Sequence, residues 1–403
     1  MIWLMLGRLL GHVNKRTLAR AAWRGAVCLA AAGCAAQLAG PAWLAGLVPS
    51  LSPLNALLAA AAGAGGMFLL GAAAIAAACV FAPRVFCRWL CPVGSCHDAL
   101  TCRMPKRAWA GRAPKVGLWL LFVGLGAALA GYPLFGWLDP LVLFNAAFGV
   151  TRSPLGTCDW AAAAGLPVLL VLSLVAPGLW CGRLCPLGAL QDVLRFPLRP
   201  QAAGAAQEKE VSALGRRAFL GLGLGAGYRL ALPPGREAGT QVIRPPASGA
   251  SARFTRLCVR CGACVRACPG GILRYGGVGA GLASVLAPEV FFDYDYCHPA
   301  CTACGQACPS GAIPKFAVGE KFAKPLGQAR VIERDCLLGQ GRECGVCVGV
   351  CPQEALDLAW DPKEMVSRVV VFPKKCTGCG YCEYVCPSTP KSILVKTEVH
   401  DET

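Results

Sequence analysis

The sequence predicts a molecule in two parts: a membrane α-helical bundle of four spans, and after it a small α+β domain packed around metal clusters. Three observations carry that expectation. Mean hydropathy is +0.51 with only 15% charged residues, too apolar for an ordinary soluble chain of 403 residues. The charge is lopsided, since residues 1–217 hold 19 Lys and Arg against 6 Asp and Glu, whereas residues 218–403 hold 20 against 16. Finally, sixteen of the 26 cysteines lie between Cys258 and Cys386, in four groups of four.

The four groups share a grammar. The first is Cys258-x2-Cys261-x2-Cys264-x3-Cys268-Pro269 and the second Cys297-x3-Cys301-x2-Cys304-x3-Cys308-Pro309. The third is Cys336-x7-Cys344-x2-Cys347-x3-Cys351-Pro352, and the fourth, Cys376-x2-Cys379-x2-Cys382-x3-Cys386-Pro387, returns to the first spacing. In such runs three close thiolates grip three corners of a cubane, and the fourth cysteine serves a neighbouring cluster. Glycines in the spacers (Gly262, Gly378, Gly380) let backbone amides approach inorganic sulfur. Disulfides have no need of four repeats of one spacing, and zinc knuckles show paired C-x2-C units with longer separators. The expectation is an α+β ferredoxin-like domain holding four [4Fe–4S] clusters on these sixteen cysteines. Because the two regular spacings are outermost, the first motif is expected to exchange its fourth cysteine with the fourth motif, and the second with the third. Pairing of adjacent motifs is the alternative.

Ahead of this domain, four apolar segments, about 22–48, 56–82, 116–137 and 161–180, are each long enough to cross a hydrocarbon core of ~30 Å at ~1.5 Å per residue. Basic residues cluster before the first (Arg8, Lys15, Arg16, Arg20, Arg24), between the second and third (Arg84 to Lys115), and after the fourth (Arg183 to Arg217). By the positive-inside rule those segments are cytoplasmic. A basic, apolar half reads as membrane loops and not as a nucleic-acid surface. Within it, Phe86-Cys87-Arg88-Trp89-Leu90-Cys91-Pro92-Val93-Gly94 parallels Trp180-Cys181-Gly182-Arg183-Leu184-Cys185-Pro186-Leu187-Gly188. Two related hairpins facing each other bring four thiols, Cys87, Cys91, Cys181 and Cys185, to one place, as a redox dithiol relay or an extra metal site. A small-residue packing device at two helix ends is the plainer reading. Cys28, Cys34 and Cys79 fall inside spans as small buried hydrophobes, while Cys96 and Cys102 lie close enough to the first motif to join its chemistry. His97-Asp98, Gln191-Asp192 in the same register of the repeat, and Asp139 are candidate proton acceptors; polar residues at an interface explain them equally well.

Three domains follow from composition: 1–200, the four-helix module; 201–250, a linker; and 251–403, the cluster domain. The linker contains Gly215-Arg216-Arg217-Ala218-Phe219-Leu220-Gly221 and a weakly apolar run, closed by Pro233-Pro234-Gly235. It looks like an internal twin-arginine export signal, a route that moves a domain already folded around its clusters.

On these residues the chain resembles two proteins joined end to end. Residues 1–200 resemble NapH-type membrane quinol dehydrogenases, through four spans and the duplicated C-x3-C-P. Residues 210–396 resemble NapG/MauM-type ferredoxins, through Arg216-Arg217-x-Phe219-Leu220, Arg244-Pro245-Pro246 and the cysteine motifs. One departure is that no further ferredoxin motif stands between Cys185 and Cys258. The resemblance implies a bacterial inner-membrane protein that oxidises quinol from the lipid-borne pool. Electrons then leave through the clusters to a periplasmic cytochrome or a reductase such as nitrate reductase. Two alternatives are an accessory electron carrier for maturation of another periplasmic enzyme, of the methylamine dehydrogenase type, and a cytoplasm-facing ferredoxin that feeds the membrane module. The chain has no C-x-x-C-H haem attachment motif, so any cytochrome belongs to a partner.

Overall fold

The computed structural model describes residues 15–36, 40–65, 68–102, 104–105, 108–148, 156–198, 205–231, 242–277, 284–362 and 366–397. The first half is helical: α1 (Lys15–Ala36), α2 (Leu44–Ser50), α3 (Pro53–Ala61), α4 (Phe68–Phe81), α5 (Val85–Trp89), α6 (Pro92–Thr101), α7 (Ala108–Arg112), α8 (Val116–Leu129), α9 (Pro140–Ala147), α10 (Thr157–Val175), α11 (Pro186–Arg195) and α12 (Ala205–Ala231). Among the described residues one helix, Thr157–Val175, is long and apolar enough to cross a membrane alone. A second crossing exists if the bent pair Leu44–Ser50 and Pro53–Ala61, meeting at 87°, counts as one.

The four unbroken spans expected from hydropathy are therefore not what the backbone forms. The first two stretches are interrupted near Gly40-Pro41 and at Gly63, both glycines at positive φ (116° and 88°), a conformation that ends a helix without a Cβ penalty. Between these breaks α2 and α3 turn back into the bundle. The third stretch likewise ends at Leu129, followed by Gly131 at φ 89°, after which α9 re-enters. Asp139 caps α9, its carboxylate accepting from Leu141 N at 2.8 Å and from the Ser52 hydroxyl at the start of α3. The two re-entrant segments are thus tied together below the surface. The bundle core is built from Leu54, Leu58, Phe86, Leu121, Phe122, Leu141, Phe144, Leu169 and Leu187.

The segment expected to be a linker holds a 27-residue helix, α12. It lies parallel to α8 along that helix's whole length: Arg217 and Leu214 line one cavity with Lys115 and Leu118, Leu222 meets Gly126, and Tyr228 faces Tyr132 with ring centroids 6.4 Å apart. Glycines permit this approach. A Cβ on Gly225 would stand 2.1 Å from the carbonyl oxygen of Val123, and one on Gly126 would stand 2.2 Å from that of Leu222. The closing Pro233-Pro234-Gly235 lies outside the described residues.

The second half carries α13 (Ser251–Leu257), α14 (Ala263–Ala267), α15 (Ala303–Ala307), α16 (Val318–Ala323), α17 (Val346–Gly349) and α18 (Tyr381–Val385), with three two-stranded antiparallel sheets among the described residues. β1 (Leu273–Tyr275) pairs with β2 (Pro288–Val290), Leu273 opposite Val290; β3 (Gln328–Val331) pairs with β6 (Ile393–Lys396), Gln328 opposite Lys396; β4 (Leu356–Asp361) pairs with β5 (Val366–Val371), Leu356 opposite Val371. One apolar core runs through the junction of the halves, with Ala45, Ala59 and Val142 of the re-entrant helices packed among Phe254, Val259, Cys261 and Ala307. Gly46 touches Ala307 so closely that a Cβ would stand 2.2 Å from its carbonyl oxygen.

A Gly225→Leu substitution is expected to pry α12 from α8 and to destabilise the chain by about 1–3 kcal/mol, the usual cost of overpacking. Thermal unfolding in detergent checks it: an unchanged midpoint would mean that the two helices do not depend on this contact.

Candidate cluster sites

The sixteen cysteines of the second half converge four by four. Cys308 stands beside Cys258, Cys261 and Cys264, and Cys268 beside Cys297, Cys301 and Cys304. In the same way Cys386 joins Cys336, Cys344 and Cys347, while Cys351 joins Cys376, Cys379 and Cys382. The exchange of fourth cysteines therefore runs between adjacent motifs, first with second and third with fourth. The expected pairing of outer with outer and inner with inner is corrected by this geometry. Its cause is local: the β1–β2 and β4–β5 hairpins each fold the chain back between consecutive motifs, bringing α14 against α15 and α17 against α18.

These four thiol groups are serially connected. The first, around Cys261, rests on the helical half: Asn145 Nδ2 donates to Cys261 O at 3.2 Å, Arg266 Nη1 to Asn145 O at 3.1 Å, and Tyr275 N to Asp159 Oδ1 at 3.1 Å. The second, around Cys297, reaches the last motif, where Cys297 N donates to Cys379 O at 2.8 Å and Tyr296 stacks on Tyr381 at 3.9 Å and 6°. The group around Cys336 and Cys344 lies at the far end of this series.

Donor chemistry and surroundings fit iron–sulfur clusters. The donors are thiols in four sets of four, each set drawn from two motifs, as a cubane shared between motifs requires. The Tyr275 hydroxyl is buried without a partner. It closes over the first motif's loop, where a Cβ on Gly262 would come within 1.7 Å of it. A buried donor left unsatisfied costs about 1–3 kcal/mol, and a cluster on the neighbouring thiols brings sulfur acceptors to that loop. In the fourth motif the corresponding glycine, Gly380 at φ 80°, is covered instead by Phe292. Burial pushes the Cys347 thiol up to about 11, so the free thiol disfavours the form that ligates metal. At Cys386 burial acts the same way but is outweighed. Ser388 and Ser392 hydroxyls at 3.0 and 3.4 Å hold that thiol down to about 7.

In the helical half Cys87, Cys91, Cys181 and Cys185 line one cavity of about 470 Å³ with Arg84, Asp98, Pro140 and Asp192. Cys96 and Cys102 do not line it. Cys96 faces Cys28, sulfur to sulfur at 3.6 Å, and Cys102 is exposed. The polar residues flagged in the repeat are largely satisfied structurally. Asp98 binds Arg24 at 2.5 Å, Asp192 grips Arg84 in a fork with bonds of 3.0 and 2.6 Å, and His97 Nε2 accepts from Gly178 N at 3.1 Å. Gln191 differs, since its Nε2 donates to Cys87 Sγ at 2.9 Å. The sequence offered no signal for Asn145, whose partner is more than a hundred positions away, or for Tyr275, whose hydroxyl closes over the loop of the preceding motif.

Cysteine groups and fold together define an iron–sulfur electron-transfer protein of the ferredoxin type. Two family models agree: one for a 4Fe-4S dicluster domain matches residues 257–337 and 342–389, and one for a 4Fe-4S binding domain matches 64–108 and 159–201. The MauM methylamine-utilization ferredoxin-type protein of Paracoccus denitrificans is 33% identical over 194 residues, 47% of this chain and 82% of that one. The ferredoxin-type protein NapG of Escherichia coli is 32% identical, covering 46% and 81%. NapH of Haemophilus influenzae is 33% identical over 132 residues, 31% of this chain and 44% of that one. The chain belongs to the NapG/MauM family of ferredoxin-type proteins. No solved structure matches it.

Adjacent pairing has a direct consequence: Cys264→Ser and Cys308→Ser should perturb the same EPR component of the reduced protein, and Cys268→Ser a different one. Under the outer-with-outer arrangement Cys264 and Cys308 would affect separate clusters. Tyr275→Phe should lower the midpoint potential of a single cluster, because hydrogen bonds to cluster sulfur raise it. EPR-monitored titration that found all components unmoved would dissociate Tyr275 from the metal.

Proposed function

We propose that this protein is a membrane-bound, quinol dehydrogenase-type electron carrier of the bacterial inner membrane. In this reading quinol is oxidised in the helical half, and its electrons pass through four [4Fe–4S] clusters to a periplasmic reductase or cytochrome. The observation that carries it is the docking of the first thiol group on the re-entrant segments through Asn145, Asp159 and the shared apolar core. A [4Fe–4S] cluster supplies one-electron chemistry over a wide range of potentials. What the chain's own residues add is order, with the Cys258/Cys261/Cys264/Cys308 group against the membrane part and the Cys336/Cys344/Cys347/Cys386 group farthest from it.

Orientation follows from charge. The basic segments Arg84–Lys115 and Arg183–Arg217 mark the cytoplasmic side, and they lie at the opposite ends of the helices from the loops on which the cluster domain docks. Helix α12, parallel to α8 and packed on it through glycines as membrane helices are, supports a further crossing with Arg216-Arg217 at the inner end. This supports a cluster domain on the outer face, in keeping with a twin-arginine-like export signal, with residues 205–231 joined to the bundle. A second reading draws on the MauM relatives, which are named for methylamine utilization: an accessory electron carrier for maturing a periplasmic enzyme of that kind.

Anaerobic mixing of the purified full-length chain with a quinol analogue is the test. Bleaching of the visible iron–sulfur absorbance is expected, slowed several-fold in Asn145→Leu, which removes the contact to Cys261. A chain that stays oxidised with every quinol tried would exclude the quinol dehydrogenase reading and leave the accessory one.

A further inference from the structure

We propose that the inner end of the helical half binds the phosphate headgroup of an anionic phospholipid, in a site built by Lys115, Arg183 and Arg217 together with Arg84. The proposal rests on the membrane reading above. The four cations come from four different elements: Arg84 from the start of α5, Lys115 from the start of α8, Arg183 from the turn Trp180–Leu184 and Arg217 from α12. They line one recess of about 90 Å³. Among the described residues a single carboxylate lines it with them, Asp192, and Arg84 already grips that group in a fork with bonds of 3.0 and 2.6 Å.

The positive-inside rule asks only for cations that face water. Here the backbone gathers them instead. Helix α8 begins hard against the turn, where a Cβ on Gly117 would stand 2.7 Å from Cys185 O and 3.2 Å from Arg183 O. On α12, Leu214 and Ala218 pack against the bundle core and Gly221 lies against Phe122. That seating brings Arg217 to the recess while Arg216 stays exposed. Like charges collected round one small recess repel each other unless an anion joins them. Guanidinium groups match phosphate oxygens two at a time.

Size and walls select the ligand. At about 90 Å³ the recess is far below the ~300 Å³ at which pockets for whole small molecules begin. It takes a headgroup fragment and leaves the rest of the ligand outside. The other walls are largely apolar, among them Leu118, Phe196 and Leu214. Beyond Arg217, α12 exposes Phe219, Leu220 and Leu224, a surface that suits acyl chains and that a soluble phosphate has no use for. Basic pockets between membrane helices on the cytoplasmic side are where anionic headgroups bind. A headgroup held here ties α12 to α8 and to the turn. It also lies one side chain from the second C-x3-C-P loop, because Arg84 Nη1 donates to Cys181 O at 2.9 Å.

Native mass spectrometry of the full-length chain, released from mixed phosphatidylcholine–phosphatidylglycerol nanodiscs, tests this without reference to quinol activity. Phosphatidylglycerol is expected to be retained in preference to phosphatidylcholine. Lys115→Gln should lower that retention about fivefold, the share of one basic residue at an anionic surface. Lys115 is exposed, so the fold tolerates its loss, and Lys115→Arg should restore the lipid. Arg112→Gln, an exposed charge that does not line the recess, should leave retention unchanged. An equal loss in Arg112→Gln would reduce the effect to general charge and overturn the site. Retention of inorganic phosphate in place of the lipid, when both are supplied, would mark a soluble-anion site and overturn it too. Pure phosphatidylcholine nanodiscs separate this proposal from the membrane reading. A chain that inserts there, yet shows no preference for phosphatidylglycerol in the mixture, rejects the headgroup site alone; one that fails to insert rejects both.

Discussion

The arrangement depends on a buried contact in which a side chain of each half reaches a backbone carbonyl of the other. Asn145, in a helix that turns back into the bundle, donates to the carbonyl of Cys261 and accepts from Arg266 through its own carbonyl. Both ends of that exchange are buried, where a lost partner costs far more than at a surface. Around it the apolar core is common to both halves. The first cluster motif is consequently not a domain merely tethered to the helical half. It is packed against the helices through a shared buried core and buried hydrogen bonds.

The re-entrant segments make this possible, and glycine and proline make the segments. An uninterrupted span presents only side chains to its neighbours, with its polar backbone satisfied internally. Breaking the stretch at Gly40-Pro41, Gly63 and Gly131 releases carbonyls: Ala62 O accepts from Arg256 at 2.9 Å and Pro133 O from Arg260 at 3.1 Å. The residues that spoil the hydropathy picture of four clean spans are the ones that furnish the docking surface.

Legibility in the sequence followed from how local each feature is. Cysteine spacing is a local property, and the four motifs announced their chemistry without any structure. The C-x3-C-P repeat announced itself too, because a duplicated nine-residue pattern needs no partner to be seen. Pairing between motifs was not legible, since spacing within a motif says nothing of which neighbour lends the fourth cysteine; short hairpins between consecutive motifs decided it. That residues 205–231 form one helix along α8 was not legible either, because the fit of Gly221 and Gly225 depends on a partner helix about a hundred positions away. Asn145 and Tyr275 could not be found at all, as each matters only through what long-range folding sets beside it.

The buried arginines of the first cluster motif connect metal loading to docking. Arg260 and Arg266 are each only 3% exposed, and both donate to carbonyls of the helical half, Pro133 O and Asn145 O. Arg260 also lies over the Tyr132 ring at 4.5 Å and holds a positive φ of 57°, a conformation costing roughly 1–2 kcal/mol for a residue with a Cβ. Burying a guanidinium is unfavourable unless negative charge or hydrogen-bond acceptors lie close by. The thiolates of Cys258, Cys261, Cys264 and Cys308, with the cluster they would hold, supply it. The side chains that clasp the helical half are thus the ones whose burial the metal site would offset. Loading the first site and seating the domain on the helical half are then expected to be thermodynamically linked, each favouring the other.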